Sequence, residues 1–580
     1  MKKFSHQSDI FELSKNRRRV VLSLLLLLFL MLFSRTLYLQ QIKKDFLQNK
    51  GDGFSVRNEI LHSYRGKIYD RNNKLLAVSS PTYDIGLSIS NNITNENIRD
   101  IATILKINEK NLRQKIKNKN KNKNKGFIYI KRSVSPESAK KISELKIAGL
   151  NLDKQYRRFY PNRESAAHII GKTNLDGIGH EGLEKQWDSI LTGVKGHKKV
   201  VIDGGKRIID DLHDFKLPKN GSDVFTTIDS RLQHTAYESL KKYIERYEAK
   251  SGSAVLIDAK NGDILVMTNY PSYNPNASVT NLDAMRNRSV TDTFEPGSTL
   301  KPISVAYALE KKKVGINEII NTNNGLLKVG QTYIRDDHPE NELTIKEVIK
   351  TSSNVGAAII GTRLSPKELW GAYDKLGFGK KIHSQIPGEV TGKLRTYTSW
   401  RDIDHSTMPY GYGVSVNLLQ LTQAYTIFAN DGVVLKPKLY TSEEIKVGEK
   451  VISQNVAKKM RSFMQSVVEE DGGTGGKAKI PGYTVAGKTG TAKKVINGQY
   501  VNQYVASFVG IAPSNNPKFI LAVMIDDPSK DSYYGGTVAA PVFKDIMKDA
   551  LKLYDVPYDK ELNENLMNNM VKPQTGDAKL

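Results

Sequence analysis

The chain has 580 residues, 39% of them hydrophobic and 26% charged, with no cysteine and a formal net charge of +26. That length exceeds one ordinary domain, and the apolar content excludes global disorder, so two or more packed domains are expected. The missing cysteine excludes disulfides, thiolate metal sites and thiol nucleophiles; the basic balance reads as Lys- and Asn-rich solvated surface rather than a nucleic-acid interface, because the densest run, Lys115 to Lys125, carries no interleaved aromatics.

In chain order, residues 1–19 are a basic leader ending in Arg17-Arg18-Arg19. Val20 to Phe33 is apolar except for Ser23, and the apolar character resumes at Leu37, Leu39 and Ile42. No small-x-small cleavage site follows, so 20–42 is expected to be an uncleaved membrane anchor with Arg35 snorkelling to the interface. The basic flank places its N-terminal end in the cytoplasm and the rest of the chain outside the membrane. Residues 43–220 mix short strand-like runs such as Tyr83 to Leu87 with polar helical stretches such as Ser138 to Leu145. Gly- and Asp-rich loops are expected at Gly177 to Gly182 and Gly204-Gly205.

The character changes near residue 221. Ser230 to Tyr247 has a helical pattern. Ser253 to Asp258 and Ile264 to Met267 flank Asn261-Gly262 and predict a hairpin. Val505 to Ile511 and Phe519 to Ile525 predict a second pair around Pro513 to Pro517. Strands at both ends with helical patterns between them predict one domain, 221–552, whose sheet joins early and late segments. Residues 553–580, rich in Asn, Lys and Asp, predict a flexible tail.

Three short motifs in that domain carry chemistry. Ser298-Thr299-Leu300-Lys301 follows Phe294-Glu295-Pro296-Gly297; Ser352-Ser353-Asn354 comes next, and Lys488-Thr489-Gly490-Thr491 last. Ser-x-x-Lys alone is weak, since Ser138 to Lys141 and Ser143 to Lys146 also fit it, and Ser-x-Asn recurs at Ser90, Ser415 and Ser514. Order and context separate the set, and Lys-Thr-Gly occurs once. A serine at a helix start with a lysine one turn on pairs a nucleophile with a base whose pKa burial can lower. Ser298 is therefore the expected nucleophile and Lys301 its base. Ser352 is expected to relay a proton toward a leaving amine, and Asn354 to hold a substrate amide and position Lys301. Lys488 and Thr489 are expected to bind a carboxylate. Gly490 would let substrate backbone approach, and the Thr491 and Ser298 N–H groups would form an oxyanion hole.

This ordered set resembles the class B penicillin-binding proteins, and more narrowly their septal peptidoglycan D,D-transpeptidases (FtsI-type). The context resembles that family too: Tyr270 to Asn276, Lys350 to Gly356, Tyr410-Gly411-Tyr412-Gly413, Ala486 to Lys494 and, upstream, Arg65 to Arg71, Arg158 to Pro161 and Gly179 to Glu184. Asn73 stands where the family usually has Gly, and Asn tolerates positive φ. The resemblance implies an α+β multidomain chain: a single N-terminal transmembrane helix, an elongated non-catalytic pedestal of mixed structure over 43–220, and a transpeptidase domain with an antiparallel sheet flanked by helices. It implies an acyl-serine enzyme without a cofactor or metal. Ser298 would attack the penultimate D-Ala of a D-Ala-D-Ala stem peptide and pass the acyl group to a neighbouring stem's amine, with β-lactams acylating the same serine. Implied partners are a FtsW-type glycosyltransferase and other division proteins. An elongation-type transpeptidase, a D,D-carboxypeptidase, a β-lactamase and a non-enzymatic division scaffold stay open at this point, because the motifs do not say what reaches the acyl-enzyme.

Overall fold

A computed structural model of the chain describes residues 14–88, 93–121, 127–203, 208–441 and 444–561. The last part of the Lys/Asn run, the Gly204-Gly205 loop and residues 562–580 lie outside these. Contacts divide the chain into two units, 1–63 with 194–220, and 64–193 with 221–580.

The first unit begins with a helix over Lys15–Leu37, prolonged by a π-helical turn at Tyr38–Ile42. It starts five residues before the apolar run, since Lys15 and Arg17 to Arg19 are themselves good helix formers. The Lys15–Ile42 segment is long and apolar enough to cross a membrane, and buries none of its side chains. After a helix at Lys44–Ser55, strands Val56–Leu61, Gly196–Ile202 and Ile208–Lys216 form an antiparallel sheet with Gly196–Ile202 in the centre.

In the second unit the strand Leu75–Ser88 is the spine of the N-terminal part, pairing with Leu150–Phe159 and Phe127–Val134. Ile85, Leu87, Ile101, Leu105, Ile130 and Ile142 pack helices Asn95–Leu105 and Pro136–Glu144 against it. The upstream motifs converge in space. Glu184, fully buried, accepts from Arg65 Nε at 2.6 Å through one oxygen and from Arg158 Nε at 2.6 Å through the other. Asp70 accepts from the Ser230 hydroxyl at 2.6 Å, tying Arg65–Arg71 to the start of the next domain. Asn73 has φ 60, the left-handed conformation that makes Gly or Asn suitable there.

The rest of the second unit is built on a five-stranded sheet in the order Ile264–Tyr270, Ser251–Asp258, Phe519–Asp526, Gln499–Ala512, Ala486–Ile496. Every pairing in it is antiparallel. The first two strands do form a hairpin, with Gly262 at φ 77, and the early and late segments meet where Ser251–Asp258 pairs Phe519–Asp526. Along Phe519–Asp526 alternate residues serve opposite faces, as the period of two requires. Phe519, Leu521, Val523 and Ile525 pack under helices Ser230–Arg246 and Gly535–Leu553. Ile520, Ala522 and Met524 join the core beneath helices Lys301–Glu310 and Leu418–Ala424. The chain expected to be a tail from residue 553 stays docked through its first residues: Tyr483 donates to the Val556 carbonyl at 2.6 Å and the Thr484 N–H to Asp559 at 2.7 Å.

Candidate active site

The Ala486–Ile496 strand lies at the edge of the sheet, so its outer row of backbone groups is left without a strand partner. Facing it, Gly297–Leu300 form a 3-10 turn that passes into the helix Lys301–Glu310. Gly297 has φ 56, its N–H donates to the Gly411 carbonyl at 3.2 Å, and the Tyr425 hydroxyl holds the Thr299 carbonyl at 2.6 Å. Ser298 sits on this turn, half-buried, and among the described residues its hydroxyl and N–H make no hydrogen bond. A Cβ at Gly490 would come within 2.3 Å of Ser507 Oγ, 2.9 Å of Thr299 Cγ2 and 3.0 Å of the Pro296 carbonyl. The missing side chain admits the Gly297–Leu300 turn to the strand.

Lys301, the first residue of the α-helix, is fully buried. Its Nζ donates to the Ser352 carbonyl, to Ser352 Oγ at 3.2 Å and to Asn354 Oδ1 at 2.8 Å. Lys488 Nζ reaches the same Ser352 Oγ at 2.9 Å, and Thr489 Oγ1 at 3.3 Å. Ser352 thus bridges two lysines, and it does so from φ 66, a strained conformation of the kind that clusters at functional sites. Lys488 lies on the edge strand and is fully buried, whereas Thr489 and Thr491 line the cleft. Thr489 is in turn held by the Thr474 hydroxyl at 2.9 Å, and Thr491 Oγ1 accepts from the Gly535 N–H at 3.0 Å.

Burial dominates the electrostatics. It lowers the Lys301 pKa to about 7, and the nearby carboxylates of Asp336 and Asp337 only partly oppose it. Lys488 is pushed well below its ordinary value, by burial first and by the positive charge of Lys301 second. The Tyr410 ring centroid lies 6.0 Å from Lys301 Nζ and closes that side of the pocket.

Two supporting carboxylates were not foreseen from the sequence. Asp336 accepts from Ser353 Oγ at 2.6 Å, from the Asn354 N–H, and from the Val355 N–H at 2.9 Å. It caps the helix Asn354–Thr362, while the Arg335 carbonyl holds Asn354 Nδ2 at 3.0 Å. A charged acceptor at a helix N-terminus is favoured by the unpaired N–H groups and the dipole, yet no local pattern around Arg335-Asp336-Asp337 marks it. Glu295 stands next to the nucleophile motif and could have been singled out there. It accepts from the Gly413 N–H at 2.7 Å and the Tyr500 hydroxyl at 3.0 Å, and burial raises its pKa. Ser298, Ser352, Asn354, Thr489 and Thr491 all line one cleft of about 890 Å³. Ser138 lies elsewhere, on the helix Pro136–Glu144.

Residues 252–548 match the family model of the penicillin binding protein transpeptidase domain, and residues 60–226 that of the penicillin-binding protein dimerisation domain. A probable peptidoglycan D,D-transpeptidase, PenA, of Neisseria meningitidis is 38% identical over 556 residues, covering 95% of this chain and 94% of that protein. The peptidoglycan D,D-transpeptidase FtsI of Escherichia coli is 37% identical over 549 residues, covering 92% and 91%. Among solved structures, a peptidoglycan synthetase from Bifidobacterium adolescentis aligns with a TM-score of 0.67 at 25% identity, covering 88% of this chain and 98% of that one. The transpeptidase domain of penicillin-binding protein 3 from Burkholderia pseudomallei aligns at 0.54 and 38% identity, covering 58% and 98%. With its motif residues gathered on one cleft and both family models matched in order, the chain belongs to the penicillin-binding protein transpeptidase family, with the dimerisation domain preceding the transpeptidase domain.

Proposed function

We propose that this protein is a serine-type peptidoglycan D,D-transpeptidase that cross-links stem peptides at the division septum. The observation that carries the reading is the Lys301–Ser352–Lys488 hydrogen-bonded chain beside Ser298. A lysine with a pKa near 7 is half neutral at neutral pH, and so able to take the Ser298 proton, where an ordinary lysine would be almost wholly charged. Lys301 and Ser298 make no bond in the free enzyme; substrate binding would bring the hydroxyl onto Nζ, as catalytic hydrogen bonds often tighten in the complex.

In the first half-reaction Ser298 Oγ attacks the penultimate D-Ala carbonyl. Lys301 takes the serine proton, and the Ser298 and Thr491 N–H groups hold the oxyanion. The C–N bond breaks, and Ser352, bonded to both lysines, returns a proton to the departing D-Ala. The terminal carboxylate of the donor lies on Thr489 and Thr491, with Lys488 beneath. In the second half-reaction an acceptor stem's amine takes the acyl group and Ser298 recovers its proton. β-Lactams acylate the same serine. The apolar Lys15–Ile42 helix and the basic residues before it fit a single-pass anchor, N-terminus in the cytoplasm and catalytic domain outside; the non-catalytic part then contacts a FtsW-type glycosyltransferase and other division proteins.

A fluorescent penicillin tests the assignment: Ser138→Ala should label like the wild type and Ser298→Ala should not. Labelling that survives the loss of Ser298 sinks the reading. Depletion in the native cell tests the septal role; filaments are expected, and round cells would assign elongation instead.

A further inference from the structure

Of the residues that line the catalytic cleft, Asp337 is the single acidic one. It is exposed, and among the described residues it makes no hydrogen bond and no ion pair. The bases lining the cleft, Lys477 and Lys493, are exposed and likewise without an ion pair. Lys493 belongs to the edge strand, and Lys477 follows the Thr474 loop that holds Thr489. Asp337 belongs to the opposite wall, because its neighbours Arg335 and Asp336 hold Asn354. Two carboxylates thus follow each other in sequence with different duties: Asp336 is consumed by the helix cap, and Asp337 is left facing the cleft.

The two substrates of the proposed reaction differ in charge at their reacting ends. The donor ends in a carboxylate; the acceptor arrives as an ammonium. We propose that Asp337 is a specificity-determining residue that attracts the cationic acceptor amine to the acyl-enzyme, on the wall opposite the one that takes the donor's carboxylate. This rests on the transpeptidase reading above. A carboxylate in a cleft raises the local concentration of a cation without contacting the donor. The ammonium first gives a proton to neutral Lys301. Its nitrogen then attacks the acyl carbonyl, a C–N bond forms as the ester C–O bond to Ser298 breaks, and the remaining surplus proton returns to Ser298 Oγ. The neighbouring His338 also lines the cleft, but a histidine carries no negative charge to offer the ammonium.

The test uses the full chain in detergent, a thioester acyl donor, and D-alaninamide as a cationic acceptor without a carboxylate. The ratio of aminolysis to hydrolysis product is read against acceptor concentration. Both products leave the same acyl-enzyme, so any change in acylation cancels. Asp337→Asn should need about two- to five-fold more acceptor for the same ratio, the range of an exposed ion pair, and Asp337→Lys still more. The difference should shrink in high salt. A ratio that is unchanged in both variants overturns the inference, and so does an equal change when methanol, a neutral acceptor, replaces the amine, because Asp337 would then shape the site rather than attract charge. Failure of the wild type to release thiol from the donor or to bind penicillin would instead overturn the transpeptidase reading.

Discussion

Replacement of Asp336 by Asn separates the two things that this carboxylate does. As a cap it accepts from Ser353, Asn354 and Val355, and an Asn side chain still offers one acceptor to a helix N-terminus. As a charge it favours the protonated form of Lys301 against burial. The other charged and titratable groups that face Lys301 are Asp337, Lys488 and Tyr410, and the substitution leaves them in place. Two unit charges about 8 Å apart attract with roughly 1–2 kcal/mol at an effective dielectric of ~20–40, which is about one pH unit. Removing the negative charge must lower the lysine pKa, from about 7 toward about 6. At pH 6 the neutral fraction of Lys301 then rises from about a tenth to about a half. The second-order rate of β-lactam acylation, measured by stopped flow between about pH 5 and 9 at constant ionic strength, should show its rising limb displaced to lower pH by about one unit, with a plateau lowered less than about ten-fold. A midpoint that stays at about 7, or that moves up, would refute Lys301 as the titrating base.

Three further outcomes follow from the same geometry. Lys301 has a folded pKa below its unfolded value, so its contribution to stability is present above about pH 10.4 and is lost as the pH falls to about 7; Lys301→Met should therefore gain about 3 kcal/mol on the wild type between pH 9.5 and pH 7 in urea melts, while losing acylation. An equal pH slope in both proteins would contradict this. Gly411 has φ 90, and a Cβ would sit 2.1 Å from the Gly297 carbonyl oxygen, so Gly411→Ala should cost more than about 2 kcal/mol and slow acylation by displacing the Ser298 turn; unaltered acylation would show that the turn tolerates the displacement. Glu184→Ala leaves Arg158 buried without a carboxylate and Arg65 with Asp188 alone, a loss of about 3–5 kcal/mol. It should lower Tm, yet leave penicillin binding per folded molecule near wild type; loss of binding in folded protein would tie that network to the active site.

Much of the fold was legible because it depends on local chemistry. The Asn261-Gly262 turn, the alternation in Phe519 to Ile525 and the apolar run after Arg19 each satisfy a short-range rule of φ, of period or of solvation. The supporting shell of the site was not legible. Asp336 reaches the Ser-x-Asn helix across an intervening strand and helix, Glu342–Thr344 and Ile345–Lys350, and nothing in the residues beside it announces a cap for a distant helix. Lys488 illustrates the same limit. Its motif reads as an anion-binding strand, but whether its amine meets solvent depends on what packs over it.

The identity and order of Ser298, Lys301, Ser352, Asn354 and the single Lys-Thr-Gly already name the chemistry, since each side chain's functional group is set by covalent structure and local spacing. Packing then assigns the duties. Burial of Lys301 lowers its pKa to about 7, Ser352 is placed between two lysines, and Gly490 makes room for the nucleophile turn. Of two adjacent aspartates, one is spent on a helix cap and the other faces the cleft. These are consequences of desolvation and of contacts between segments far apart in the chain, and neither is encoded at any single position.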